Sequence, residues 1–195
     1  MSQPPTLTRV ELPARAPVLT GAGWSAFIIA LIVVCGVAPL LNLAIIDHLF
    51  LLPQQFGQVL IPQAVLAELK VNQALPGSNA LRTALNEGWL IPQSVSNKAL
   101  VSLLRQELHQ GESEAIALAV EVSAERILLD EKEARQSARA LGLALTGILG
   151  ILLKGLHEGT VASMKVVIER LQREANFWIA PDLLNQLLQE SGELD

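Results

Sequence analysis

From residue 27 onward, short continuous apolar runs alternate with longer stretches in which apolar side chains recur at helical spacing. The first run is the longest. Residues 27–46 read FIIALIVVCGVAPLLNLAII, 20 residues in which Asn42 is the only strongly polar side chain. As one helix it would reach about 30 Å, enough for a bilayer core, and Arg9 and Arg15 upstream give it a weak positive flank. The same run also reads as strand, turn and helix. β-branched residues crowd positions 28–34, Gly36 follows, and Pro39 stands where a new helix has its first turn. Hydropathy alone does not separate the two readings, because a strand buried on both faces of a parallel sheet is continuously apolar as well.

The downstream pattern weighs on the choice. A strand is expected at 58–61, with Pro62 opening a helix over 62–70. Ser78 is placed to cap a second helix that runs through Leu81 and Leu85 and stops at Gly88. A short strand at 89–91 and a helix at 100–108 follow. Residues 111–124 then give a polar start, GESE, and a helical run, before a strand at 126–130. The helix over 131–141 closes at Gly142, a strand at 143–146 comes next, and an apolar helix runs from near Leu149 to Gly159. Residues 161–175 and 181–191 complete the chain as amphipathic helices, the second with Pro181 in its first turn.

Strands alternating with helices predict an α/β fold: a parallel sheet with helices on both faces, joined by right-handed crossovers, plus the C-terminal amphipathic helices. Such a sheet needs a buried first strand, and residues 31–34 supply one. That favours strand, turn and helix over a membrane segment. Residues 1–26 carry Pro4, Pro5, Pro13 and Pro17 without periodicity and read as a flexible lead-in to a domain spanning 27–195. No internal repeat is visible.

Composition narrows the function. With 195 residues, 51% apolar and 17% charged, the chain is sized for one domain with a real core. A net charge of -5, from 19 acidic against 14 basic side chains, argues against holding nucleic acid by broad phosphate neutralisation. It leaves room for an acidic active site. The single cysteine, Cys35, excludes an intrachain disulfide framework and a cysteine-rich zinc site, fits a reducing compartment, and reads as a small buried residue. His48, His109 and His157 lack ligand spacing and read as surface or locally bonded.

In an open parallel sheet, reactive groups collect beyond the carboxyl ends of the strands. Asp130 and Glu131 stand at such an end, Glu114 falls in the first turn of its helix, and Glu68 sits late in the helix after the second strand. Each alone has a plain structural explanation, as a cap, a helix-start acid or a solvated position.

Their order carries more. The segments VVCGVAPLLNLA, IPQAVLAEL, GESEAIALA, ILLDEKEAR and LTGILGILL resemble, in order and spacing, the PIN-domain family, specifically its toxin-like DUF3368 branch, over about residues 32–193. The resemblance implies a PIN-like fold and a metal-dependent endoribonuclease, the toxin component of a toxin–antitoxin pair in the cytoplasm. It places Glu68, Glu114 and Asp130 on catalytic, metal-binding positions, with Glu131 as a further ligand and Glu112 as a nearby substitute. Thr146 falls on the polar position of the TG-x-LG segment and Arg135 on a recurrent helix arginine.

Mg²⁺ or Mn²⁺, an RNA substrate and a small antitoxin-like protein are the implied cofactor and partners, and the apolar C-terminal helices could serve a homodimer. Clustering carboxylates calls for a cation, since two of them 4 Å apart repel by about 4 kcal/mol at an effective dielectric of 20. Two departures from the family pattern are expected at the site and not in the core. A stretch that usually reads V-V-S-D/N-T-S-P-L here reads Val33 to Leu40 with Gly36 at the acidic position, and Ile148 replaces a threonine. They imply impaired catalysis, or alternatively a catalytically silent scaffold that binds RNA or an antitoxin-like partner.

Overall fold

Gly36 breaks the long apolar run in two. In the computed structural model, which describes residues 32–194, Val33–Cys35 forms strand β1 and Val37–Ile45 forms helix α1. Between them Gly36 is extended, with φ −80° and ψ −177°. The lead-in 1–26 and residues 27–31 of the apolar run lie outside the described residues. Among the described residues no helix is long and apolar enough to cross a membrane.

The next elements are α2 (Leu51–Phe56), β2 (Val59–Pro62), α3 (Gln63–Glu68), α4 (Ser78–Asn86), β3 (Leu90–Gln93), α5 (Lys98–Leu104) and α6 (Gln110–Glu121). They are followed by β4 (Arg126–Leu128), α7 (Lys132–Ala140), β5 (Leu145–Thr146), α8 (Ile148–His157), α9 (Met164–Glu174) and α10 (Pro181–Glu190). The five strands form one all-parallel sheet in the order β3-β2-β1-β4-β5. β1 is central, with Val34 opposite Leu60 of β2 on one side and Ile127 of β4 on the other.

That position explains its composition. Val33 and Cys35 point into the larger core, with Leu40, Leu43, Val65, Leu81, Ile151 and Leu152, whereas Val34 points into the second core with Ile116, Leu118, Ile127 and Ala134. Both faces of β1 are therefore covered. Each large aliphatic side chain buried in this way contributes about 1.5–3 kcal/mol. The C-terminal helices join the larger core through Met164, Val167, Ile168, Leu171 and Leu187. The carboxylate of Glu193 ties the tail to the start of α9, accepting from Met164 N–H at 2.7 Å, Lys165 N–H at 2.9 Å and Ser163 Oγ at 2.7 Å.

The expected boundaries need several corrections. Pro62 ends β2 and is the N-cap of α3, which stops at Glu68. Gly77, and not Ser78, is the N-cap of α4. α5 begins at Lys98 because the Asn97 side chain accepts from Leu100 N–H at 3.0 Å and caps it there. β4 ends at Leu128, so Asp130 and Glu131 occupy the connection to α7. α2 leaves no periodicity in the sequence, since it is a helix of six residues interrupted by Pro53. Gly142 does close α7, with φ +76°.

A carboxylate pocket at the switch point of the sheet

The chain lays β2 and β3 on one side of β1 and then returns to place β4 on the other. Connections leaving β1 and β4 therefore diverge, and a crevice opens beyond their carboxyl ends. Gly36 N–H donates to Leu128 O at 3.0 Å and closes the floor of that crevice. A pocket of about 230 Å³ opens above it. One wall is α1, with Val37, Ala38, Pro39, Leu41 and Asn42; the other carries Glu68, His109, Glu112, Leu129, Asp130 and Glu131.

Glu68 reaches the pocket from the last position of α3, and its Oε1 accepts from Gly111 N–H at 2.9 Å. A Cβ on Gly111 would lie 2.9 Å from that oxygen, so a larger residue there would make the Glu68 carboxylate shift. Asp130 is held in a similar way. Its Oδ1 accepts from Ile148 N–H at 2.8 Å, at the first position of α8, and a Cβ on Gly147 would stand 2.7 Å from it. Asp130 thus caps α8 and not the helix that follows it in sequence. Its Oδ2 is buried without a partner.

Burial pushes the Asp130 carboxyl up to about 6, opposed by the Ile148 bond and the Arg135 charge and reinforced by Glu131. Arg135 donates from Nη1 to Leu129 O at 2.7 Å and so braces the connection that carries Asp130. Thr146 accepts from Leu129 N–H through its carbonyl, and its side chain does not line the pocket.

The two acids of α6 differ from expectation. α6 begins at Gln110, so Glu112 occupies its first turn and Glu114 the second. Glu112 Oε2 accepts from His109 N–H at 3.1 Å, whereas its Oε1 is buried with no partner and the residue is only 8% exposed. Burial first, then the Glu131 carboxyl, through a hydrogen bond to the protonated form and through its charge, and last the charge of Glu68, push this carboxyl up to about 7 against the His109 bond. Glu114 is absent from the pocket lining. Its Oε2 accepts from Ala64 N–H at 3.2 Å and its Oε1 from Gln110 Nε2 at 3.3 Å. By sequence pattern Glu112 is only a substitute for its neighbour; the buried position shared with Ser113 and Ala115 is what marks it out.

Glu131 is exposed at the rim, as the N-cap residue of α7. Of the two departures, only Gly36 faces the pocket. Ile148 is fully buried in the larger core and serves the site through its backbone N–H alone, which corrects the expectation that both losses fall at the site. Burial, and then the Asp130 charge, push the Cys35 thiol well up, so it is an inert core residue as its composition implied.

The donors are hard oxygens, and two of them, Glu112 Oε1 and Asp130 Oδ2, have no partner, which suits a hard cation. Among the described residues no group of three or more His, Cys, Asp or Glu side chains is placed to hold a metal ion. The fit is therefore to an ion held by one or two carboxylates and otherwise by water, as Mg²⁺ commonly is, and not to a closed cage.

An open, all-parallel five-stranded sheet with carboxylates gathered at its switch point defines an α/β domain that works at one end of its sheet. The family model DUF3368, described as a PIN domain, matches residues 32–193, and the chain belongs to that family. Its fold is accordingly nuclease-like, and PIN domains are in general divalent-metal-dependent nucleases that bind nucleic acid. No curated protein and no solved structure matches the chain.

Proposed function

We propose that the protein is a metal-dependent endoribonuclease, the toxin component of a toxin–antitoxin pair acting in the cytoplasm. By family position Glu68, Glu114, Asp130 and Glu131 are the candidate ligands for Mg²⁺ or Mn²⁺, of which one or two at a time would hold the ion with water completing its shell. The observation that carries the reading is the pair of buried, unpartnered carboxylate oxygens in the switch-point pocket of a PIN domain. Stripping water from a carboxylate without offering a partner is costly, and a cation offsets that cost. When bound, such an ion supplies positive charge to the scissile phosphate and a more acidic water. The chain's own part is to fix Asp130 through Ile148 and Arg135 and to exclude water along the apolar wall of α1.

In this reading the substrate is RNA, and a small antitoxin-like protein covers the pocket. A second copy would dock on the C-terminal helices, beside which Trp178 is 79% exposed. Purified protein with Mn²⁺ should cut RNA, and Asp130→Ala should abolish cutting. Cleavage indifferent to that change would remove the assignment.

A second reading, a silent scaffold that binds RNA or an antitoxin-like partner, is favoured by Gly36, which sends no side chain into the pocket, and by the absence of a three-ligand cluster among the described residues. Gly36→Asp separates the two: cleavage gained only in the variant supports the scaffold, and robust cleavage by the parent rejects it.

A further inference from the structure

The pocket has two unlike walls. On one side stand Glu68, Glu112, Asp130 and Glu131; on the other, α1 presents Val37, Ala38, Pro39 and Leu41. The residues that replace the family's polar stretch therefore do two things at one place. Gly36 takes a carboxylate away, and Val37 and Ala38 turn the facing wall apolar.

A divalent ion makes use of the acidic wall alone. It needs several oxygens at fixed short distances, and among the described residues no three acids are placed to supply them. An alkylammonium ion makes use of both walls. Its three N–H groups donate to carboxylates with no set coordination number, and its methylenes pack on aliphatic side chains. The acids leave room for such donors. Glu112 lines the pocket, is 8% exposed and has Oε1 without a partner, and Asp130 Oδ2, buried in the connection after β4, has none either. Size narrows the ligand further. A cavity of about 230 Å³ has the room of about seven waters at about 30 Å³ each, below the range of sites for drug-sized molecules. An amine of about five to eight non-hydrogen atoms matches it.

We infer that the pocket is a binding site for a small aliphatic amine, a free alkylammonium ion whose charged head is taken by Glu112 and Asp130 and whose carbon chain lies along Val37, Ala38 and Leu41. Such an amine occupies the oxygens that a divalent ion needs, so it regulates the metal-dependent activity by competition. Only this regulatory step rests on the nuclease reading above; the binding does not.

Alkylammonium chlorides from methyl to n-hexyl are titrated by calorimetry into the full chain at pH 8 without divalent cations, with n-butanol as the uncharged control. Full burial of a methylene corresponds to about fourfold in affinity, and packing on one wall to about twofold. Over the three methylenes that separate them, n-butylammonium is expected to bind about eightfold tighter than methylammonium, and n-butanol not to bind at the same concentrations. Val37→Thr/Ala38→Ser, which restores the family's polar side chains, is expected to lose at least half of that gain and to keep methylammonium within about twofold. Glu112→Gln and Asp130→Asn keep an acceptor for His109 and Ile148, and each is expected to weaken n-butylammonium by about tenfold. Thermal melts check that the variants are folded.

Equal affinity for methylammonium and n-butylammonium overturns the inference, as does n-butanol binding as tightly as the amine, or affinity untouched by both carboxylate changes. In a chain that cuts RNA, n-butylammonium is expected to raise the Mn²⁺ needed for half-maximal cleavage, and an unchanged requirement overturns the competition. Cleavage by a chain that binds no alkylammonium overturns the inference and leaves the nuclease reading standing. The stated chain-length and charge dependence in a chain that neither binds Mn²⁺ nor cuts RNA removes the nuclease reading and leaves the binding site.

Discussion

Asp130 gives one carboxylate oxygen to the backbone N–H of Ile148, at 2.8 Å, and keeps the other buried with no partner. The first oxygen builds the fold, because it caps α8. The second is available for chemistry. Asparagine can perform the first task and not the second. Asp130→Asn is therefore expected to be more stable than Asp130→Ala by about 1–3 kcal/mol, the cost of leaving the Ile148 donor unsatisfied. Urea unfolding of both variants at pH 8 measures the difference, and equal stabilities would show that the cap contributes nothing.

Gly36 stands at the N-cap of α1 with no side-chain bond to that helix. An aspartate there would meet an unstrained extended backbone and one close neighbour, Leu129 Cδ2, at 3.0 Å from the new Cβ. That methyl ends a flexible side chain and can give way. The new carboxylate would gain a cap bond, worth a few tenths of a kcal/mol over glycine, and would add charge to an acidic pocket. Gly36→Asp is thus expected to melt lower than the parent at pH 8 without divalent cations and to recover with Mn²⁺, with Mn²⁺ affinity raised about tenfold. Paired thermal melts with and without Mn²⁺ decide it. A variant that melts higher than the parent without cation and gains nothing from Mn²⁺ would show that the position only caps α1.

Much of the fold is legible in the sequence because it depends on burial. The unbroken apolarity of Val33, Val34 and Cys35 records a strand covered on both faces, and the glycine after it records the turn that ends the strand. The site was less legible because it depends on helix phase. Starting α6 at Gln110 instead of one residue later moves Glu114 out of the first turn, and the exchange between α3 and α6 joins residues 50 and 43 positions apart. Nor does a residue's type reveal whether its backbone or its side chain serves the site. Ile148 does so only through its N–H.

The two glycines of the TG-x-LG segment are predicted to respond oppositely to alanine. At Gly147 a Cβ would stand 2.7 Å from Asp130 Oδ1 and 2.9 Å from Arg135 Nη1, and would push both from their bonds. At Gly150, inside α8, the nearest atom is Thr146 Oγ1 at 3.5 Å, an ordinary contact. Gly147→Ala should lose about 1–3 kcal/mol and the Mn²⁺ response with it. Gly150→Ala should gain about 0.5–1 kcal/mol from helix propensity. Chemical denaturation of the pair checks both signs, and a loss at Gly150 would show that the contact with Thr146 is tighter than an ordinary one.

Stability should fall between pH 5 and pH 8 in the absence of divalent cations. Glu112 is raised to about 7 and Asp130 to about 6, chiefly by burial, whereas unfolded carboxyls titrate near 4. Through that window the folded chain binds more protons than the unfolded chain, so stability decreases as pH rises and the full cost is present above about pH 7. Glu131, Glu68 and His109 surround Glu112, and Glu131 and Arg135 flank Asp130. Glu121, Glu174 and Glu193, held below the usual carboxylate range by their hydrogen bonds, stabilise with rising pH, but they have finished doing so by about pH 5. The net loss is on the order of 3 kcal/mol, or roughly 5–10 °C in Tm for a chain of this size. Glu112→Gln should flatten the profile, and Mn²⁺ should bind more tightly as the pH rises through the same window, because ion and protons compete for the same oxygens. Thermal melts from pH 5 to pH 8 test this directly: a parent profile that climbs across that range would mean that these two carboxyls are charged at little cost, and the case for a cation between them would go with it.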